Sequence, residues 1–593
     1  MEKIMKKIEY LLLLRNEFIM RKNNEEIKVT SKELSSILST SDRNTIYLIK
    51  NFMFMNYLKW IPGKGRGNRS SLIFSLTFTE VASLYVKEMV TENKVKDVIN
   101  FANSYLSEDG LHEIYRLLHQ SLGPQIEIKD SELTSRIKLL IPQEISTLDP
   151  INVQLYSEAH LISQIYNTLV IFDEKQEKLL PSLAYDWQPK EGGKKWTFLL
   201  RKSVQFHSGD FLTSKDIAFT FNKLLNTPCS TIHSLIKDIK EVEILSDHII
   251  RFHLTEVNYF FPRVISSFQC AILHHLYDHR DKPNGTGPFF VKKHDQQFIQ
   301  LEAFQFYFQE RALIDQVDIW MDKFSQQIPN NMSQLETTAI ESKTEDITHH
   351  QQLLGSRFLI FNSVKKCPVL DKNLRLSLIN LVNPTTMIKE LGGNRISIAN
   401  SFLPKISVNS KTKNFSIERA KNFLKESNYS GETLQLFYFH LNEGHETASW
   451  IKKQAEYIGL SININPISPE AIPKLQVNSH ADFILFSSIL SKDTELSLLT
   501  LFESEFSFIR PYLPKEVKKY IDNQLRFFKR SEDTNERYQS LLKIESYLKE
   551  NLVLHFLYHS TNTLNYQSHV KGMEFNSYGL IDFKKIWIQP DFL

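Results

Sequence analysis

The sequence predicts a multidomain protein: a small, mainly α N-terminal domain closed by a β hairpin, a helical connector, and a large α/β domain. Three observations support this. The chain has 593 residues, too many for a single hydrophobic core. Helical periodicity dominates its first part, then gives way from Ile137 to strand, turn and helix in mixed order. There is no strict βαβ alternation and no internal repeat. Charge divides the same way. Residues 1–80 hold 14 Lys/Arg against 8 Asp/Glu, a balance of +6, so with +3 overall the remaining residues sum to −3. A basic head on a slightly acidic body makes the head the part that meets a polyanion.

The head can be read element by element. Met5, Ile8, Leu11, Leu12 and Phe18 recur at near-helical spacing and predict a helix over residues 3–20. "RKNNEEIKV" reads as a polar connector. In "TSKELSSILST", Thr30 and Glu33 have capping-box spacing, and Leu34, Ile37 and Leu38 give a short helix one apolar stripe. A turn around Thr40 and Ser41 leads into "DRNTIYLIKNFMFMNYLKW". There Ile46, Ile49, Phe52 and Met53 are expected to face inward, with Arg43, Tyr47 and Lys50 on the opposite side. A short helix, a tight turn and a second helix with a basic, aromatic outer face make a helix-turn-helix, whose second helix enters a DNA major groove.

The next segment closes that domain. "YLKWI" and "SLIFSLTF" can pair as two strands around a tip, Pro62 to Ser70, that holds three Gly and three Lys/Arg and no acidic or apolar side chain. Gly63, Gly65 and Gly67 allow a tight turn and close approach. Lys64, Arg66 and Arg69 can reach phosphates or a minor groove. The tip lacks the G-x-x-x-x-G-K-[ST] pattern and following helix of a phosphate-binding P-loop. Alone it would read equally as a solvated hairpin; after a helix-turn-helix it reads as a wing. The winged helix-turn-helix makes double-stranded DNA the expected partner. Its candidate contacts are Ser31, Lys32, Ser41, Arg43, Asn44, Tyr47, Lys50, Lys64, Arg66, Asn68 and Arg69.

Domains are expected at 1–80 for the head, 81–136 for the connector and 137–593 for the body. Cys229, Cys270 and Cys367 have no metal or disulfide spacing and read as small buried side chains. The N-terminal run "IEYLLLL" is broken by Glu9 and closed by Arg15 and Glu17, which is too short for a secretory core. No stretch is long and apolar enough for a membrane span. A cytoplasmic protein with no membrane partner is the expectation. His275 and His279 stand at i, i+4, but no H-E-x-x-H motif or third ligand accompanies them. With no G-x-S-x-G motif and no partnered Cys, neither a metal, a cofactor nor catalysis is expected.

Longer motifs in the body carry a resemblance. "IPQEISTLDP" (141–150) is followed by "LPSLAYDW", "WTFLLRKSVQFHSG" and a segment, "SKDIAFTFNKLL", that reads as a helix opened by an Asp. Further on come "NGTGPFFV" (284–291), "LRLSLINLVNPTTMI" (374–388), "IERAKNFLKESNYSGETLQLFYF" (417–439), "WIKKQAEYIGLSININP" (450–466) and "ADFILFSS" (481–488). In order and content these resemble the peptide/nickel-type solute-binding proteins of ATP-driven importers. The resemblance implies a large two-lobed α/β body of the type II periplasmic-binding-protein-like fold, with a small-molecule ligand in the interlobe cleft.

Joined to the wing sequence "GKGRGNRSSLIF", that body is similar to the SgrR family of transcriptional regulators. Membership implies a DNA-binding regulator that senses a sugar phosphate, peptide or other metabolite and controls transport or sugar-metabolism genes. A homodimer is the expectation that palindromic operators carry. The alternative function is a transport receptor or cytosolic chaperone with an adaptor N-terminus.

In peptide-binding relatives an Asp after the returning strand receives the ligand's amino group. The resemblance thus implies Asp493, with Glu495 beside it, as ligand-binding residues; otherwise both are solvated loop acids. Tyr156, Tyr166 and Asn167 are candidates by position, and Asp149 with Pro150 is expected to shape a strand end. Closure of the lobes on ligand is expected to change the head's orientation or dimer geometry.

Overall fold

The computed structural model describes residues 6–63, 68–129, 132–141, 145–153, 155–227, 232–276, 282–321, 346–408, 414–439, 442–467, 480–491, 493–576 and 580–589. The head begins with α1 (Lys7–Glu17), β1 (Glu26–Val29), α2 (Ser31–Ile37) and α3 (Asp42–Phe54), followed by β2 (Leu58–Ile61) and β3 (Ser70–Phe74). Thr30 and Glu33 form the expected capping box on α2, and the Ser41 hydroxyl caps α3 by accepting from the Asn44 amide at 3.3 Å. β2 and β3 pair antiparallel, Leu58 opposite Phe74 and Ile61 opposite Ser71.

Two details depart from the sequence reading. "EIKV", taken as connector, is a third strand pairing with β3, with Ile27 and Val29 facing inward. The inward stripe of α3 is Thr45, Leu48, Ile49 and Phe52, whereas Ile46 and Met53 face solvent. Thr45 is the polar member that masked this i, i+3, i+4, i+7 register. Buried Arg15 locks the end of α1 by donating to the carbonyls of Leu76 at 3.0 Å, Phe18 at 2.6 Å and Arg21 at 2.7 Å.

Three more helices follow, α4 (Phe78–Thr91), α5 (Val95–Tyr105) and α6 (Glu108–Ser121), and then β4 (Gly123–Lys129) and β5 (Glu132–Ile141). The division expected at residue 80 falls inside α4, and one apolar core runs through head and helices alike, from Leu11 to Leu122. The division expected at residue 137 falls inside β5. β5 belongs to a five-stranded sheet with β4, Gln316–Met321, Phe298–Ala303 and Phe289–Asp295. Side chains alternate across it, as the pleat requires. Ile137, Val317, Ile319 and Met321 enter the body's core. Leu140 and Trp320, cross-strand partners, enter the head's core instead. The Lys138 ammonium donates to the Val90 carbonyl of α4 at 3.3 Å.

The first lobe adds a four-stranded antiparallel sheet, Ile239–Ser246, Ile249–Leu254, Lys195–Leu200 and Ala184–Lys190 in spatial order. The second lobe is built on a mixed sheet of Asp346–Gln352, Leu554–Gln567, Gly355–Phe361, Phe483–Ile489, Leu434–Phe439 and Ile462–Ile467, with Arg395–Ile398 at its side. The expected helix over 374–388 is two, Lys372–Leu381 and Pro384–Leu391, because Pro384 restarts the helix at its first position. Asp346–Gln352 and Leu554–Gln567 pair where the chain passes between lobes, and the C-terminal segment returns to the first lobe, where Phe583 packs on His160 at 4.9 Å.

Two of the motifs meet in the first lobe. His207 accepts from the Gly285 amide at Nδ1 (3.3 Å) and donates from Nε2 to the Gly287 carbonyl (3.0 Å), which fixes one neutral tautomer. Burial pushes the pKa of His207, and that of buried His160, down from 6.5 to about 4. The folded protein keeps both imidazoles neutral, while the unfolded chain takes up protons below its ordinary pKa. Stability is therefore full above about pH 6.5 and falls as pH drops toward 4, by at most about 3 kcal/mol per group. Urea unfolding midpoints should decline between pH 6.5 and 4.5, before most carboxylates titrate; a flat profile there would contradict the assignment.

Candidate functional site

Two regions of the structure gather the predicted site residues. In the head, the capped N-terminus of α3 presents Arg43, Tyr47 and Lys50 to solvent on one face. Ser31 and Lys32 are exposed at the start of α2. Asn44 is partly spent, donating to the Thr40 hydroxyl at 2.9 Å. Asn68 is exposed at the base of the wing, and Arg69 is bound to Glu33 at 2.7 Å, which ties the wing to α2. Gly63 is required there, since a Cβ would run into the carbonyls of Asn68 and Arg69 across the hairpin. Lys64 and Arg66 lie outside the described residues.

Sequence reasoning missed two members of this surface. Lys7 of α1 reaches α3, 3.1 Å from the Asn51 side-chain oxygen and 5.4 Å above the Tyr47 ring. Ile46 is 49% exposed beside Tyr47. No local pattern signals Lys7; only the packing of α1 across α3 brings it there. The resulting face combines cations, an aromatic ring and an apolar side chain at a helix N-terminus. Phosphate contact and base-edge reading both need such a set.

The second region is the junction of the lobes. Asp493 and Glu495, at the start of the helix Thr494–Glu503, are buried and paired, and neither is a solvated loop acid. Arg263 of the first lobe holds Asp493 through Nε at 2.6 Å and Nη2 at 2.9 Å. Arg537 holds Glu495 through Nε at 3.0 Å. Nearby, Lys529 of the second lobe lies 2.7 Å from Glu503 and 3.3 Å from Asp238 of the first. Burial opposes its charge, yet Glu503 and Asp238 raise its pKa above the ordinary lysine value. Phe260 and Phe528 pack across the same junction at 4.7 Å, and Arg530 meets Glu256 at 2.6 Å. A cleft of about 450 Å³ opens beside it, with Lys190, Gly193, Trp196 and Tyr259 on one side and Glu532 and Arg537 on the other.

The remaining candidates occupy different settings. The Tyr156 hydroxyl donates across the lobes to the Ile489 carbonyl at 3.2 Å, and its ring is partly exposed. Tyr166 is buried in the first-lobe core, and burial raises the pKa of its phenol. The Asn167 carboxamide links the Thr286 and Tyr307 hydroxyls at 3.0 and 3.3 Å. Asp149 accepts from the Ile151 amide and the Asn152 side chain, which shapes a turn ahead of the helix Tyr156–Ile165 where a strand end was expected.

His279 and Cys229 lie outside the described residues; Cys270 is buried and Cys367 half-buried. Asp216, His274 and His275 bring three donor atoms within 4.8 Å of one another. The Asp216 carboxylate is already spent there: it caps its helix through Thr213 and accepts from the His275 amide and ring. His274 Nδ1 faces the Leu276 amide. In the structure these donor atoms are engaged in hydrogen bonds.

Comparison with known proteins gives two family matches. Residues 178–506 match the bacterial extracellular solute-binding proteins, family 5, middle region, and residues 9–127 match the N-terminal domain of the sugar transport-related small-RNA regulators. The chain is 27% identical over 566 residues to the uncharacterized protein YhjP of Bacillus subtilis, covering 95% of this chain and 96% of that one. It is 25% identical to the HTH-type transcriptional regulator SgrR of Photorhabdus laumondii, with the same coverage. Among solved structures, a dipeptide-binding protein of Pseudoalteromonas sp. SM9913, in complex with Met-Leu, superimposes with a TM-score of 0.65 at 18% identity, over 76% of this chain and all of that one. NikA of Brucella suis, in complex with Fe(III)-EDTA, gives 0.62 at 17% identity, over 77% of this chain and all of that one. These likenesses establish the two-lobed type II binding-protein fold. No helix among the described residues is long and apolar enough to cross a membrane.

Proposed function

Because the chain belongs to the family 5 bacterial extracellular solute-binding proteins and carries an SgrR-type N-terminal domain ahead of that body, we propose that it is a ligand-sensing transcriptional regulator. It binds double-stranded DNA through the winged head and a small molecule between its lobes. The observation that carries this reading is the exposed Arg43–Tyr47–Lys50 face of a capped recognition helix on a head fused to a two-lobed binding fold. A transport receptor or chaperone has no use for such a face. The regulator acts in the cytoplasm, on transport or sugar-metabolism genes, and binds palindromic sites as a homodimer.

The test is a mobility shift on DNA from the protein's own promoter region across a salt series. Arg43→Ala or Tyr47→Ala should weaken specific binding by about 5- to 100-fold with little change in non-specific binding. Loss of Lys64 or Arg66 should lower affinity for every sequence and reduce the salt slope by about one each. Arg69→Ala should do less, since Glu33 already engages Arg69. Unchanged binding in all of these variants would refute the interface.

A further inference from the structure

Asp493 and Arg263 lie 230 positions apart in the sequence and come from opposite lobes. The carboxylate caps the helix Thr494–Glu503 through the Leu496 amide at 3.0 Å and receives the guanidinium edge-on through two bonds. The guanidinium carbon lies 3.5 Å from the centre of the Phe172 ring, so the cation stacks flat on an aromatic wall. Its remaining nitrogen is 3.6 Å from Glu495. Arg263, Asp493 and Glu495 are all largely removed from water. Asp493 facing this aromatic wall, with Glu495 behind it shared with Arg537, forms a receptor for a flat cation, because a carboxylate fixes a guanidinium by paired bonds and the ring binds its face.

We propose that Arg263 is the resident occupant of a cation-binding subsite at the lobe junction, and that it determines specificity there. Tethered to its own chain, the side chain competes with free cations at an effective concentration they do not reach. The subsite therefore rejects amine- and guanidinium-bearing ligands in the wild-type protein. Ligand recognition falls to other groups in the cleft. Removing Arg263 turns the subsite into a receptor for small guanidinium and primary ammonium compounds. The significance for sensing rests on the reading of the cleft as the ligand site; the subsite itself does not. A mere strut between lobes would differ in one respect. A strut needs the covalent link through Arg263, whereas a subsite needs only the cation.

The experiment is thermal unfolding of the full-length Arg263→Ala protein with methylguanidinium, ethylammonium or sodium chloride at matched millimolar concentrations. The variant should melt below wild type and recover saturably with methylguanidinium. Ethylammonium, which lacks the flat face, should restore less, and sodium nothing. Wild type and the Arg263→Ala/Asp493→Asn double variant should not respond. A folded Arg263→Ala protein without saturable recovery overturns the proposal, as does a wild type stabilised equally by these cations. Should Arg263→Ala not fold alone, refolding it in methylguanidinium is the same test: recovery of folded protein supports the subsite and its absence overturns it. DNA binding is not the readout, so a protein that binds no DNA would overturn the regulator while leaving this result standing.

Discussion

Replacing Trp320 with Ala should divide the protein's unfolding into two steps. Trp320 is 3% exposed, its ring packs on Phe298 at 5.1 Å, and it stands opposite Leu140 on the sheet face turned to the head. Truncating a buried Trp costs about 3–5 kcal/mol. Here the lost contacts are those between two cores, so the cost falls on their cohesion. Calorimetry should show one cooperative transition in wild type and two in Trp320→Ala, with the linkers around α4 to α6 newly sensitive to protease. A variant that keeps a single transition would mean that the head is held by something other than this wall.

Gly285→Ala should unfold the first lobe more severely than its one added methyl group suggests. Gly285 and Gly287 lie directly against the backbone of Gln164 and Ile165, and the Gly287 amide donates to the Ile165 carbonyl at 2.9 Å. A Cβ on either glycine meets main chain, which cannot rotate aside as a flexible side chain can. Overpacking of this kind typically costs about 1–3 kcal/mol, and the lost hydrogen bonds to His207 bring the expected total to about 3 kcal/mol or more. Urea unfolding measures it directly, and Gly287→Ala should behave alike. A loss below about 1 kcal/mol in both variants would show that the loop can move away from the end of the helix Tyr156–Ile165.

These two positions show what sequence could and could not reveal. The G-T-G-P and F-H-x-G motifs were visible as motifs, but the reason for them is a contact between segments nearly 80 positions apart. The head was more legible because its signals are local. Thr30 and Ser41 cap their helices through amides three residues on, Glu33 reaches three residues back, and the wing follows from its composition together with the helix-turn-helix ahead of it. β1 escapes a reading by periodicity because its alternation, complete as it is, spans only four residues. Apolar character alone points Ile46 and Met53 inward, whereas the true register of α3 runs through the polar Thr45. At the lobe junction, Asp493 was found by resemblance, but nothing near it in the sequence pointed to Arg263. Partners of that kind are fixed by tertiary folding and leave no periodic trace.

The strand pair that carries Leu140 and Trp320 has one more consequence. A sheet with a core on each face cannot tilt one layer without the other. The head and the first lobe are therefore coupled through this sheet, and a closing motion of the second lobe would have to leave that shared wall intact. Closure that preserved the wall would carry the second lobe past the head without turning the head on the first lobe. The expected change is then in the space beside the head, which DNA footprints with and without a cleft ligand would read as a change in extent at constant register.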